Sequence, residues 1–359
     1  MAISASSGAF VQWPAWGTAA SALLVVASLP PWGLTPLVFV ALVPWLHGVV
    51  GRESLAQALW QGLWLALGVA LLGSWWLAIA VHDFAGFGWV GSVCALLLYA
   101  GFAAQPQLVV FAGVAWLATR RGGFVRTSGA AALLGALVYV AIEGVLPRLF
   151  DVGLGVALHT SAPLRQLAAF GGVDLLTALV VALNLLIWQQ IPAVDRPAGT
   201  GRSWRPVWMA LALIGGALSL GAIRLAAIES ALADAPRELQ VALVQGSVVN
   251  ADRLAWARGD EAAAERQLDR YLELSKPLVR RAPAIDLLVW PEATFPGIVG
   301  RPSGSGGASR AARFDRFALT LDAPMLFGAY DLEEEGDERT LFNAIFAIEP
   351  DPWARRQGG

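Results

Sequence analysis

The sequence predicts a multi-span α-helical membrane bundle followed by a soluble α/β domain, and three observations lead there. Of 359 residues, 57% are hydrophobic and only 14% are charged, a balance outside that of ordinary soluble domains. The charge is also unevenly placed. Acids are scarce from Phe10 to Ala233, whereas Asp234 to Gly359 has the mixture of a normal soluble domain. Finally, long apolar stretches fill the first part, while the second carries short apolar runs and amphipathic helical patterns. The boundary falls within Ser230–Glu238, which gives domains 1–233 and 234–359.

Seven stretches are long enough for a bilayer whose apolar core is about 30 Å thick. They run near Trp16–Ser28, Leu34–Val50, Ala56–Val81, Trp89–Leu117, Ala130–Leu146, Gln166–Trp188 and Val207–Ala227. No basic segment precedes the apolar core of the first, so it reads as a retained span and not a cleaved signal peptide. With the N-terminus in the cytoplasm, the inner loops carry Arg52, Arg120, Arg121, Arg126, Arg196, Arg202 and Arg205. The outer loops carry only Arg148 and Arg165. That asymmetry satisfies the positive-inside rule. An odd number of spans then carries the second domain to the far side, the periplasm of a Gram-negative cell.

Polar residues inside the spans need partners or a purpose. Glu143 reads either as a pair with Arg148, or a neutral hydrogen-bonded acid, or as part of a substrate path. His82 and Asp83 follow Trp75-Trp76 at the outer end of the third span, as interfacial caps or as catalytic groups. Asp174 and Asn184 read as helix-joining residues, and Gly171-Gly172 and Gly215-Gly216 as points of close helix contact. His47 and His159 have no metal-ligand spacing, so no metal is expected. No basic patch suits nucleic acid. The lone Cys94 falls within the fourth span, where an apolar, buried setting makes a thiol inert.

In the second domain, Leu239–Gly246 and Ile285–Trp290 are apolar runs that read as buried strands. Glu261–Leu274 is helical between them, with Ala264, Leu268, Tyr271 and Leu272 on one face and Pro277 ending or kinking it. Gly300–Ser309 is a Gly/Ser loop. Ala311–Leu321 is a helix with Phe314, Phe317, Ala318 and Leu321 inward. Pro324–Tyr330 and Leu341–Ile348 are strands joined by the acidic turn Glu333–Glu338, a solvated hairpin tip. Glu292 follows the second apolar run directly, at the strand end where open α/β sheets hold ligands.

Two sets of residues carry a family resemblance. Val241-Ala242-Leu243-Val244-Gln245-Gly246 and Leu288-Val289-Trp290-Pro291-Glu292 resemble the carbon–nitrogen hydrolase (nitrilase) superfamily. Ser28-Leu29-Pro30-Pro31-Trp32-Gly33-Leu34, Leu42-Val43-Pro44-Trp45-Leu46, Gly68 to Phe87 and Gln166 to Gly172 narrow it. With Leu326-Phe327-Gly328-Ala329-Tyr330 and Phe342-Asn343-Ala344 they look like apolipoprotein N-acyltransferases, in the family's order. Phe150 to Gly155 departs from the pattern where relatives carry a Pro-Trp pair. The resemblance implies a nitrilase-like α-β-β-α sandwich, of which this chain holds the front half, and Glu292 as general base of a Glu-Lys-Cys triad. It also implies that Trp256 lies near the acyl-donor site, the alternative being a packing residue. Implied partners are a phospholipid acyl donor, a diacylated lipoprotein acceptor and the bilayer of the bacterial inner membrane, with no cofactor.

The other two triad members are not evident. Cys94 is the only cysteine and Lys276 the only lysine, and the latter precedes the Glu292 strand. In relatives the Lys follows the strand matching Leu341–Ile348, with the Cys further on. The expectation is therefore an acyltransferase by family, C-terminally truncated and without the expected Lys and Cys, which leaves the activity of this form open. The alternatives are a non-catalytic remnant or lipid-binding membrane protein, and a membrane-tethered amidase.

Overall fold

A computed structural model describes residues 16–102, 105–120, 128–150, 152–191, 203–236, 238–248, 250–279, 285–299, 306–335 and 338–350. Arg121, Arg126, Arg196 and Arg202 lie outside them, as do residues 300–305 of the Gly/Ser loop. Contacts divide the chain into two compact units, Met1–Asp234 and Ala235–Gly359.

The first unit is helical: α1 (Trp16–Ser28), a 3-10 turn (Thr35–Phe39), α2 (Val43–Val50), α3 (Leu55–Gly73), α4 (Trp76–Ala85), α5 (Trp89–Phe102) and α6 (Pro106–Arg120) come first. Then follow α7 (Gly129–Val145), a second 3-10 turn (Leu154–Thr160), α8 (Ala162–Arg165), α9 (Ala168–Trp188) and α10 (Arg205–Ala233). Among the described residues four stretches are long and apolar enough to cross a membrane: Leu55–Gly73, Trp89–Arg120, Ala168–Trp188 and Arg205–Ala233. The shortest of these has 19 residues, about 28 Å at 1.5 Å per residue.

The expected spans are more broken than the hydropathy pattern implies. Leu34–Val50 is a 3-10 turn followed by α2, whose first turn holds Pro44. Ala56–Val81 divides at Ser74 into α3 and α4. Gly171 and Gly172 do not bring helices together. They interrupt α9, with Gly172 at φ 64°. Gly215 and Gly216 face open space, and the close approach on α10 is at Gly221, where a Cβ would fall 1.9 Å from the Pro163 carbonyl oxygen.

Breaks leave backbone groups without helical partners, and in an apolar setting each must be satisfied. Asn184 of α9 does this for the turn before α2. Its Oδ1 accepts from Leu42 N–H (2.8 Å), and its Nδ2 donates to the Val38 and Val180 carbonyls (2.8 and 2.9 Å). Ser21 accepts from Trp45 N–H in the first turn of α2, and Trp45 Nε1 donates to the Gln61 carbonyl on α3. Asp174, in contrast, is exposed and does not join helices as its position suggested. At one end of the bundle, Arg120 and Trp116 both donate to the Arg52 carbonyl, at 2.7 and 2.8 Å.

The second unit is a mixed four-stranded sheet in the order β1 (Val241–Leu243), β2 (Leu287–Val289), β3 (Met325–Glu335), β4 (Glu338–Ile348). The first three are parallel, and β3–β4 is an antiparallel hairpin. Helices α11 (Asn250–Ala257) and α12 (Glu261–Val279) connect β1 to β2, and α13 (Gly307–Ala318) connects β2 to β3. Strands β1 and β2 are shorter than the apolar runs that contain them. Pro277 lies inside α12, which continues to Val279.

One sheet face forms the core. Leu288, Met325, Phe327 and Ala329 are buried there beneath Leu268, Tyr271 and Leu272 of α12 and Phe314 and Phe317 of α13. Trp290 extends this face and donates its indole N–H to Ser275 Oγ at 2.8 Å. The two helices are tied together by charge. Arg310, 2% exposed, pairs with Glu261 and Glu265, and Arg313 pairs with Glu265 and Asp269. The Asp269 hydrogen bond holds the Arg313 guanidinium above its ordinary pKa. That contribution is present throughout the neutral range, and it is lost as pH rises through the guanidinium's own titration.

Candidate functional site around Glu292

The carboxyl end of β2 runs directly into the turn Pro291-Glu292-Ala293-Thr294. Trp290 N–H still pairs with the Leu326 carbonyl of β3 (2.8 Å). The chain then turns sharply across β3 at Gly328. Gly328 N–H donates to the Pro291 carbonyl, and Thr294 and Phe295 N–H both donate to the Gly328 carbonyl. A Cβ on residue 328 would fall 2.6 Å from Glu292 Cα and 2.7 Å from Ala293 N, so only glycine lets the turn lie this close to the sheet. Ala293 takes φ 52°, a left-handed conformation that costs a non-glycine residue about 1 kcal/mol. Thr294 Oγ1 bonds the Pro291 carbonyl at 2.9 Å, and the buried Gln267 of α12 holds the carbonyls of Ala293 and Thr294.

Glu292 is exposed, and its Oε1 accepts a hydrogen bond from Asn343 Nδ2 on β4. Asn343 is the register partner of Tyr330 on β3, and cross-strand partners point to the same sheet face. Trp256 of α11 stacks on the Tyr330 ring, with centroids 5.9 Å apart and planes 28° from parallel. Val299 N–H bonds the Tyr330 carbonyl at 3.1 Å. Glu292, Asn343, Tyr330 and Trp256 thus form one connected group, just past the end of β2 and against the middle of the β3–β4 hairpin. It offers a solvent-accessible carboxylate, an amide that orients it, and an aromatic wall.

Chemically, the group is suited to proton transfer. The carboxylate is reachable from solvent, and the bond from Asn343 leaves its second oxygen available to a substrate. Asn343, Tyr330, Gly328 and Gln267 gained no role from sequence alone. The hairpin register Tyr330↔Asn343 is the feature that brings the first two to Glu292.

The remaining candidates lie elsewhere. Lys276 is exposed on α12. Cys94 lies within the apolar Trp89–Arg120 stretch, on an outward-facing side of α5 in the helical unit. Its neighbours on α5 face outward too, with Val93 and Leu97 exposed. In that unit Glu143 is buried and ion-paired with Arg148 at 2.8 Å. His82 Nδ1 bonds the Phe87 carbonyl at 2.7 Å and its ring stacks on Trp89. No group of three metal-ligating side chains occurs among the described residues.

Comparison with known proteins addresses both units. Residues 21–186 match the family model described as the apolipoprotein N-acyltransferase N-terminal domain. The chain is 26% identical over 339 residues to an apolipoprotein N-acyltransferase of Bdellovibrio bacteriovorus, covering 89% of this chain and 56% of that protein. It is 30% identical over 355 residues to one of Pseudomonas aeruginosa PAO1, covering 94% and 62%. With one of Azotobacter vinelandii it shares 31% over 339 residues, covering 88% and 58%. The chain thus spans about 56–62% of the length of these curated relatives. The matched region holds most of the apolar helices, and the alignments run on through the α/β unit. The chain is a membrane protein, and it resembles apolipoprotein N-acyltransferases through its helical unit and on into the α/β unit.

Proposed function

We propose that this protein acts in lipoprotein maturation, moving a fatty acyl chain from a phospholipid to the N-terminal amine of a diacylated lipoprotein, with Glu292 as general base. The observation that carries the reading is Glu292 itself. It is an accessible carboxylate on a tightly held turn at a strand end, oriented by Asn343 beside the Trp256–Tyr330 stack. The α/β layers are read as the front half of a nitrilase-like sandwich. The meeting of Arg52 and Arg120 at one end of the bundle supports a cytoplasmic assignment for that end. The α/β unit then belongs on the periplasmic side of the inner membrane.

The chemistry has two steps. A thiol gives its proton to Glu292, and the thiolate attacks the phospholipid ester carbonyl. The alkoxide of the lysophospholipid leaves, takes the proton back from Glu292, and a thioester remains. The lipoprotein amine then attacks the thioester, Glu292 accepts the amine proton, and the thiol is regenerated as the amide forms. An ammonium beside the reacting carbonyl would hold the oxyanion of each step. Neither Cys94, on the helical unit, nor Lys276, upstream of β2, is assigned these roles. Trp256 would lie along the acyl donor.

The test uses the product of the gene that encodes this chain, purified from membranes, with labelled phospholipid and a diacylglyceryl peptide. Triacylated peptide is expected, and Glu292→Gln should slow its formation by about 10²–10⁴-fold. Undiminished transfer by Glu292→Gln would sink the reading. A second reading, a non-catalytic lipid-binding membrane protein, is favoured by the positions of Cys94 and Lys276. Phospholipid binding with no triacylated product would select it. Hydrolysis of simple amides would select a membrane-tethered amidase.

A further inference from the structure

Gln267 lies on the sheet-facing side of α12 and is 2% exposed. Its amide nitrogen donates to two carbonyls, Ala293 at 3.0 Å and Thr294 at 2.9 Å. Both belong to the turn that begins at Glu292. Carbonyls only accept, so the NH₂ end of the side chain must face them and the usual ambiguity between glutamine O and N does not arise. Gln267 Oε1 is buried and finds no hydrogen-bond partner among the described residues. A side chain that only filled the core would be a leucine or methionine, which buries no orphaned acceptor. The amide's contribution therefore lies in its two donors.

Those donors act where the backbone needs holding. Ala293 is at φ 52°, a conformation that persists in a non-glycine residue only where its surroundings enforce it. Gly328 supports the turn from the sheet side, and Gln267 holds it through the next two carbonyls. We infer that Gln267 is a positioning residue: by fixing the Ala293-Thr294 carbonyls from α12, it keeps the Glu292 carboxylate on Asn343. The inference rests on the reading of Glu292 as the base for its importance to the reaction. Its test reads Glu292 directly and uses no activity, so failure of one leaves the other intact.

The experiment is carboxyl labelling of the whole chain with a water-soluble carbodiimide and glycine ethyl ester, followed peptide by peptide by mass spectrometry. Glu273, exposed on the same helix, is the internal standard. Gln267→Met keeps length and volume and removes both donors. It should raise the Glu292 labelling rate at least threefold relative to Glu273. Asn343→Ala should raise it similarly, and the double variant should add nothing to either single change, since both act through one contact. A folded Gln267→Met with an unchanged Glu292 rate overturns the inference, and so does a double variant whose effect is the product of the two. Should Gln267→Met not fold, hydrogen exchange in the unaltered chain decides. The Thr294 and Phe295 amides should exchange as slowly as those of β3, and exchange at loop rates would overturn the inference.

Discussion

Glu143 is a carboxylate 2% exposed among apolar helices, and its position is understood through its neighbours. Arg148 donates to Oε1 at 2.8 Å and Gln107 donates to the same oxygen at 3.3 Å. Gly153 packs close to both carboxylate oxygens, and Thr177 beside it accepts from Gly155 N–H. A buried pair of this kind adds little net stability, because both charges lose their hydration, but removing one partner leaves the other uncompensated. Arg148→Leu should therefore destabilise the helical unit by about 3–5 kcal/mol. The double change Glu143→Leu with Arg148→Leu should cost much less, although it alters more atoms. Thermal unfolding of the detergent-solubilised protein measures both. A double variant no more stable than Arg148→Leu would show that the pair does more than balance charge. Glu292 sits at the opposite extreme, exposed and held by one amide, which fits the proton transfer proposed for it. Its place at a strand end was legible from the apolar run before it. The role of Asn343 was not, because the β3–β4 register that delivers it is a long-range pairing with no local signal.

Among the elements, the amphipathic helices were easier to read than the apolar ones. In α12 and α13 polar residues mark the outer face, so Leu268, Tyr271, Leu272, Phe314 and Phe317 could be assigned inward, and they are buried. Along the membrane helices almost every residue is apolar, so the pattern carries no phase and cannot show where a helix stops. The break at Ser74 and the interruption at Gly171-Gly172 were hidden for that reason. So was the contrast between open Gly215-Gly216 and tight Gly221, which depends on where Pro163 lies. The ion pairs that bury Arg310 also escaped notice, since they join two helices distant in sequence. Asn184 is the polar residue that makes one such break tolerable, by accepting from Leu42 N–H before α2 begins. Asn184→Leu fills the same space and leaves that donor unpaired, so a loss of about 1–3 kcal/mol is expected. Asn184→Asp keeps the acceptor and should be milder if it stays unionised. Equal unfolding temperatures for Asn184→Leu and the unaltered protein would mean that the turn finds another partner.

At the scale of the whole molecule, the α/β unit is two layers deep. Helices α12 and α13 cover one sheet face. The other carries Val241 and Leu243 on β1 and Ile345 on β4, which are 44%, 74% and 81% exposed. Register places these residues together. Leu243 pairs with Val289, Val289 with Leu326, and Leu326 with Ala347, all on one side. Ile345 lies next along that side, opposite Gly328. Asn343 projects from this same side of β4, so the open face and the Glu292 group are continuous. An apolar sheet face of this extent, between two edges that pair with no further strand among the described residues, is a surface on which another layer packs or on which chains associate. Residues Ala235–Gly359 expressed alone should therefore bind an apolar fluorescent dye and self-associate at micromolar concentration. Leu243→Lys with Ile345→Lys should suppress both and change unfolding stability by no more than about 1 kcal/mol, since neither side chain is buried. If the two lysines instead unfold the segment while dye binding by the unaltered segment is weak, the face is already covered in solution. The sheet would then pack within its own chain, and the Glu292 group would be read as the rim of a closed core instead of an open surface.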